Sequence, residues 1–179
     1  MREPPRRTFR VAMKRRVQPV APETLRRSYP ITDQVPGWFF RVEETSPGAY
    51  RVEGADEYGR QVSCSGTGYE AVLERCADDA LLMGAPVFVV TEHFDLTRMG
   101  LALAGDERME RLGGPGPWRA VVRTPDGTRV HATAYRPWFS YRVVPEFERI
   151  SITLPDLRKA DVPIGSEVFL RRLPPEHAD

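Results

Sequence analysis

The chain has 179 residues, of which 41% are hydrophobic, 28% charged and 9% aromatic, with a formal net charge of +1. That length suits one domain or two small ones, and fractions this ordinary exclude a wholly disordered chain. No run approaches the roughly 18 apolar residues that span a bilayer, so neither an integral membrane protein nor a membrane partner is expected.

The placement of the charge says more than its sum. Of the 26 basic residues, 24 are arginine, the imprint of a GC-rich bacterial genome rather than of phosphate recognition. Residues 1–36 carry net +6, residues 37–84 net −5 and residues 85–179 net zero. A basic arm beside an acidic unit can fold back on it, or the two can face different partners. Cys64 and Cys76 make no disulfide framework and no Cys/His spacing suits zinc, so no metal and no cofactor are expected. Arg6-Arg7-Thr8-Phe9 has the look of a twin-arginine export motif. Lys14-Arg15-Arg16 and Gln18-Pro19 then interrupt the apolar stretch such a signal needs, so a cytoplasmic location is expected.

In chain order, residues 1–36 contain Pro4, Pro5, Pro19, Pro22, Pro30 and Pro36, which forbid a long helix. They read as a flexible basic arm, with an edge strand over 8–11 and one helical turn over 22–27 as the only candidate elements. Strands follow over 38–44, 49–55 and 60–65, separated by Thr45-Ser46-Pro47-Gly48 and Asp56-Glu57-Tyr58-Gly59 turns. Alternation places Phe40, Val42, Tyr50, Val52, Val62 and Cys64 on one face. Thr67-Gly68-Tyr69-Glu70 fits a capping box. Val72, Leu73, Cys76, Ala80 and Met83 then recur at helical spacing, and Gly84 supplies a left-handed stop before Pro86. The β-β-β-α unit over 37–84 is too small to be comfortable alone and should pack on the rest of the chain.

Residues 85–179 read as a second, all-β unit. Short strands are predicted over 86–94, 99–105, 118–124, 129–135, 141–144, 149–154 and 167–171. A Thr124-Pro125-Asp126-Gly127 hairpin lies among them, and Gly113-Gly114-Pro115-Gly116-Pro117 must be a surface loop. The expected fold class is therefore α+β: a basic arm, a β-β-β-α module, and an antiparallel β-barrel of six or seven strands.

The pieces of the second unit that carry a family likeness are Phe94-Asp95-Leu96, the Gly-containing Met99-Gly100-Leu101-Ala102-Leu103-Ala104-Gly105, the hairpin over 123–128, and the closing run over 150–165. Together this pattern resembles the second-domain β-barrel of elongation factors of the Tu type, over about half of the chain. The resemblance implies a barrel. No GxxxxGK[ST] loop is present, so it implies no GTPase chemistry, and a fold alone does not confer a function. The order and size of the first unit are similar to those of HicB-type antitoxin modules.

His93, His131 and His177 are scattered, and no nucleophile elbow or HExxH motif is present. Cys64 and Cys76 read as small buried hydrophobes where helix meets sheet rather than as a redox pair. Glu70, Glu74, Asp78 and Asp79 make one polar helix face, read either as solvated or as an acidic patch for a basic protein. Arg6, Arg7, Arg10, Lys14, Arg15 and Arg16 of the arm could follow a nucleic-acid backbone, with Phe9 stacked on a base. Tyr135-Arg136-Pro137-Trp138-Phe139-Ser140-Tyr141-Arg142 packs four aromatics and two arginines around a proline, the side chains enriched at binding hot spots. Arg136, Trp138, Tyr141 and Arg142 are its candidate contact residues, with Trp138 facing outward and Phe139 inward. These readings favour a non-catalytic protein-binding adaptor, or a toxin- or effector-neutralising protein of the immunity type. An RNA- or translation-associated binder that uses the arm and the barrel comes second, and an enzyme with an unrecognised site third.

Overall fold

The structure is a computed structural model that describes residues 19–114, 116–137 and 149–173. The expected edge strand over 8–11, the basic residues Arg6, Arg7, Arg10, Lys14, Arg15 and Arg16, and the predicted strand over 141–144 lie outside the described residues. Within them the chain is α+β, with antiparallel sheets and two α-helices.

Strands β1 (Trp38–Ser46), β2 (Ala49–Asp56) and β3 (Gln61–Thr67) form one sheet in that order. The register sets Phe40 opposite Gly54 and Val52 opposite Cys64, so their alternating side chains share a face. Helix α2 (Tyr69–Leu82) lies on that face and buries Val72, Leu73, Cys76, Ala77 and Ala80 against Phe40, Val52 and Cys64. Both thiols are free and buried, as small hydrophobes at the seam. Burial pushes the Cys76 thiol up to about 12, out of the reactive thiolate range at neutral pH.

Both ends of α2 differ from the expectation. Thr67 is the last residue of β3, paired with Ala49, and Gly68 takes the N-cap position with no side-chain cap. The strand passes into the helix through a single residue at φ 79°, a turn that glycine makes without cost and that holds Thr67 in the ladder. At the other end Met83 stays right-handed, and Gly84 N–H donates to Leu81 O at 3.0 Å, so the helix tightens to its stop without a left-handed glycine. Gly68→Ala should therefore lower stability by about 1 kcal/mol, whereas Thr67→Ala should stay within about 0.5 kcal/mol. Thermal melting of the two variants checks the pair, and the reverse order would restore the capping box.

Half of the expected arm belongs to this unit. Helix α1 (Pro22–Ser28) starts on a proline, which the first turn tolerates. It buries Leu25 against Phe39 and Ala55 on the sheet face opposite α2, with Tyr29 alongside. Ile31 bridges to Phe40 through two backbone hydrogen bonds of 2.7 and 3.0 Å, and Val35 is buried beneath Trp38 and Phe40. The prolines exclude a long helix there but not a short one fastened by three apolar anchors.

The second unit contains β4 (Phe88–Val89), β5 (Glu92–Leu96), β6 (Gly100–Arg108), β7 (Trp118–Arg123), β8 (Arg129–Ala134), β9 (Arg149–Leu154) and β10 (Glu167–Arg172). The predicted first strand, 86–94, is two strands in two sheets. Val90 N–H donates to Ser166 O, whereas the next residue, Thr91, donates to Ala104 O. The expectation of a barrel is met only in part. Among the described residues the strands form two sheets, β4-β10-β7-β8 and β5-β6-β9, neither of which closes on itself. They enclose one core that includes Phe88, Leu101, Leu103, Trp118, Ile150, Ile152 and Val168.

The hairpin over 124–128 forms as predicted: Gly127 has φ 87° and Thr128 N–H donates to the Asp126 carboxylate at 3.0 Å. The Thr124 hydroxyl and the Thr128 amide hold the Asp126 carboxyl below its usual range.

Candidate functional site

Three of the four acidic residues on α2 turn toward arginines of this same chain. Leu81 and Leu82 at the end of α2 pack on Val121 of β7 and Phe169 of β10, which anchors the helix to the outer face of the four-stranded sheet. On that face Arg171 lies opposite Arg119 across two strands, and β8 adds Arg129 and His131. Like charges directly opposed across a ladder repel, and the helix lays its carboxylates over them.

Asp78, with a side chain only 4% exposed, is the centre of the cluster. One of its oxygens, Oδ2, is 3.3 Å from Arg119 Nη2 and 3.1 Å from His131 Nδ1. The other, Oδ1, is 3.5 Å from Nε of Arg171, whose side chain is 5% exposed. Charge attraction holds that last pair, since neither atom has a hydrogen-bond partner. Glu74 Oε1 stands 3.4 Å from Arg119 and 3.7 Å from Arg171. Asp79 accepts from Arg129 Nη1 at 2.6 Å, and its other oxygen accepts from the Cys64 thiol at 3.3 Å. Glu70, one turn earlier, is exposed.

The acidic patch therefore meets its basic counterpart inside the chain. In this structure it lies at the contact between the β-β-β-α unit and the second unit. The sequence held one signal for this. Val121-Val122 and Val168-Phe169 place apolar side chains on both faces of β7 and β10, the pattern of strands covered on both sides. Val122 and Val168 fill the second unit's own core, while Val121 and Phe169 receive α2.

The aromatic run is reached only at its start. Tyr135 follows β8, bridges to Thr153 of β9 through hydrogen bonds of 3.0 and 2.8 Å, and is exposed. Arg136 is half-buried beside it. Trp138, Phe139, Tyr141 and Arg142 lie outside the described residues. The chain thus leaves β8 and returns in β9 at the point where a backbone bridge joins the two sheets.

His93 Nδ1 lies 3.0 Å from Val162 O, on β5 of the three-stranded sheet. Among the described residues no group of three His, Cys, Asp or Glu side chains could hold a metal ion. No described helix is long and apolar enough to cross a membrane. Comparison with family models, with curated proteins and with solved structures gives no match to this chain.

Proposed function

We propose that the chain is a non-catalytic, cytoplasmic protein-binding protein, an adaptor or a toxin- or effector-neutralising protein of the immunity type. Its contact surface is formed by Arg136, Trp138, Tyr141 and Arg142. The observation that carries this reading is the fate of the acidic helix. With Glu74, Asp78 and Asp79 engaged by Arg119, Arg129 and Arg171, that face has little left to offer a partner. The other concentrated set of hot-spot side chains begins at exposed Tyr135. The proposal extends to the barrel. The β4–β5 segment passes from one sheet to the other and the Tyr135–Thr153 bridge joins their far edges, which supports reading the two sheets as one ring like that of the Tu-type domain.

The test is capture from a host lysate, with and without nuclease, by the wild type, Trp138→Ala and Phe139→Ala. The expected result is nuclease-resistant capture that Trp138→Ala abolishes while its melting curve stays unchanged. Phe139→Ala should instead melt earlier, since a buried ring cut to alanine costs about 3–5 kcal/mol. Capture lost on nuclease treatment would favour the RNA-associated alternative, with the basic arm as its contact. Equal damage to both folds would make the run a core element.

A further inference from the structure

The geometry points to a binding site for one small phosphoester in the cleft between the β5–β6 turn and the segment after β9, independent of the aromatic surface. The cleft has a volume of about 330 Å³ and is lined by Asp95, Leu96, Thr97, Arg98, Gly100, Pro155 and Arg158. Two other clefts also hold an arginine each. There Arg123 is paired with Glu167 and Arg41 with Glu53, so their charge is already met. In this cleft neither Arg98 nor Arg158 has a carboxylate partner among the described residues, and the Arg158 guanidinium makes only a local bond, Nη1 donating to Leu157 O at 3.2 Å. The nearby carboxylates are turned to the backbone instead: Asp161 accepts from Arg158 N–H at 2.8 Å and Asp95 from Lys159 N–H at 3.3 Å.

The backbone here is built for close approach. Gly100 has φ 82°, and a Cβ at that position would stand 2.4 Å from Pro155 Cα and 2.5 Å from Leu154 O. Only glycine lets the β5–β6 turn press against the 154–158 segment, which brings Arg98 and Arg158 to one cleft. Arg98 itself has φ 67°, the one non-glycine residue with positive φ among the described residues. Held strain of that kind concentrates at ligand sites. Two guanidinium forks match the oxygens of a phosphate.

The surroundings select against a nucleic-acid strand. Asp95 lines the cleft and Asp161 sits on the Arg158 backbone amide, so carboxylates interrupt the basic surface of Arg98, Arg158 and Lys159 that the neighbouring phosphates of a strand would need. Asp95 in the wall instead suits a hydroxyl on the ligand. A volume near the lower end for small-ligand sites agrees with that choice.

The experiment titrates the ¹⁵N-labelled full chain with inorganic phosphate, adenosine monophosphate and a ten-nucleotide oligouridylate at matched ionic strength. The expected result is saturable amide shifts at Arg98, Gly100, Arg158 and Lys159 with the first two ligands. Affinity should fall about tenfold or more in Arg98→Gly, which the left-handed backbone accepts, and likewise in Arg158→Gln. Three outcomes would overturn the site: no localised shift with phosphate or the mononucleotide, wild-type affinity in both variants, or a response to the oligonucleotide alone. The variants' amide spectra, superimposable elsewhere on the wild type, separate a lost site from a lost fold.

Discussion

Asp78→Ala should destabilise the protein by about 3 kcal/mol, far more than any other carboxylate on α2. The reason is what it leaves behind. Arg171 is 5% exposed, and without Asp78 its nearest carboxylate is Glu74 at 3.7 Å. A buried cation stripped of its partner costs roughly 3–5 kcal/mol. The residual pull of Glu74 on Arg119 and Arg171 places the expectation at the lower end of that range. Asp79→Ala breaks a pair with Arg129, which is half exposed, and such pairs are worth about 1 kcal/mol or less. Urea denaturation of the two variants measures the contrast. The double variant Asp78→Leu/Arg171→Met removes both charges and should recover most of the loss, since apolar replacements of buried pairs are often neutral or better. Equal, small losses in the two single variants would mean that the cluster is solvated and that apolar packing alone docks α2.

Much of the fold was legible because local chemistry and tertiary packing agree. Alternation at Phe40, Val42, Val52, Val62 and Cys64 marks the helix-facing side of β1 to β3, and the Thr124–Thr128 hairpin has a proline and a glycine where its angles need them. The strand over 149–154 appears with the predicted bounds. Misreadings arose where one residue had two possible duties. Thr67 can cap a helix or extend a ladder, and the ladder with Ala49 wins because Gly68 makes the turn alone. Residues 19–36 look like an arm by proline and charge, yet Leu25, Ile31 and Val35 suffice to fasten them.

The partners of the acidic helix face were not legible for a related reason. Glu74, Asp78 and Asp79 are four and one residues apart on one helix, so their grouping is visible in sequence. Their partners Arg119, Arg129, His131 and Arg171 come from three strands tens of residues away, and only the sheet order β10-β7-β8 sets them side by side. A charge run identifies a face but not what covers it. The break at Val90-Thr91 was hidden likewise, because the run over 86–94 is uniformly strand-like and only its hydrogen-bond partners change.

The second large effect is expected at Phe169, which joins the two units without serving the core of either. It is 1% exposed and lies with Leu82 and Val121, while its neighbour Val168 points into the second unit's own core. The Arg123 guanidinium sits 5.2 Å from its ring centroid and shields the edge of the contact. Phe169→Ala should cost about 3–5 kcal/mol through lost burial and the cavity left at the seam. Its distinctive consequence is the shape of the transition. The β-β-β-α unit is small enough to be marginal without a neighbour, so a loosened seam should let it melt first while the second unit persists. Calorimetry should then resolve two transitions where the wild type shows one. Val168→Ala, equally buried on the opposite face of β10, should lower stability by a core-type loss yet keep a single transition, because the seam stays intact. Two variants with the same single transition would mean that the units unfold together whatever happens at Phe169, and the charge cluster around Asp78 would then have to be the main tie between them.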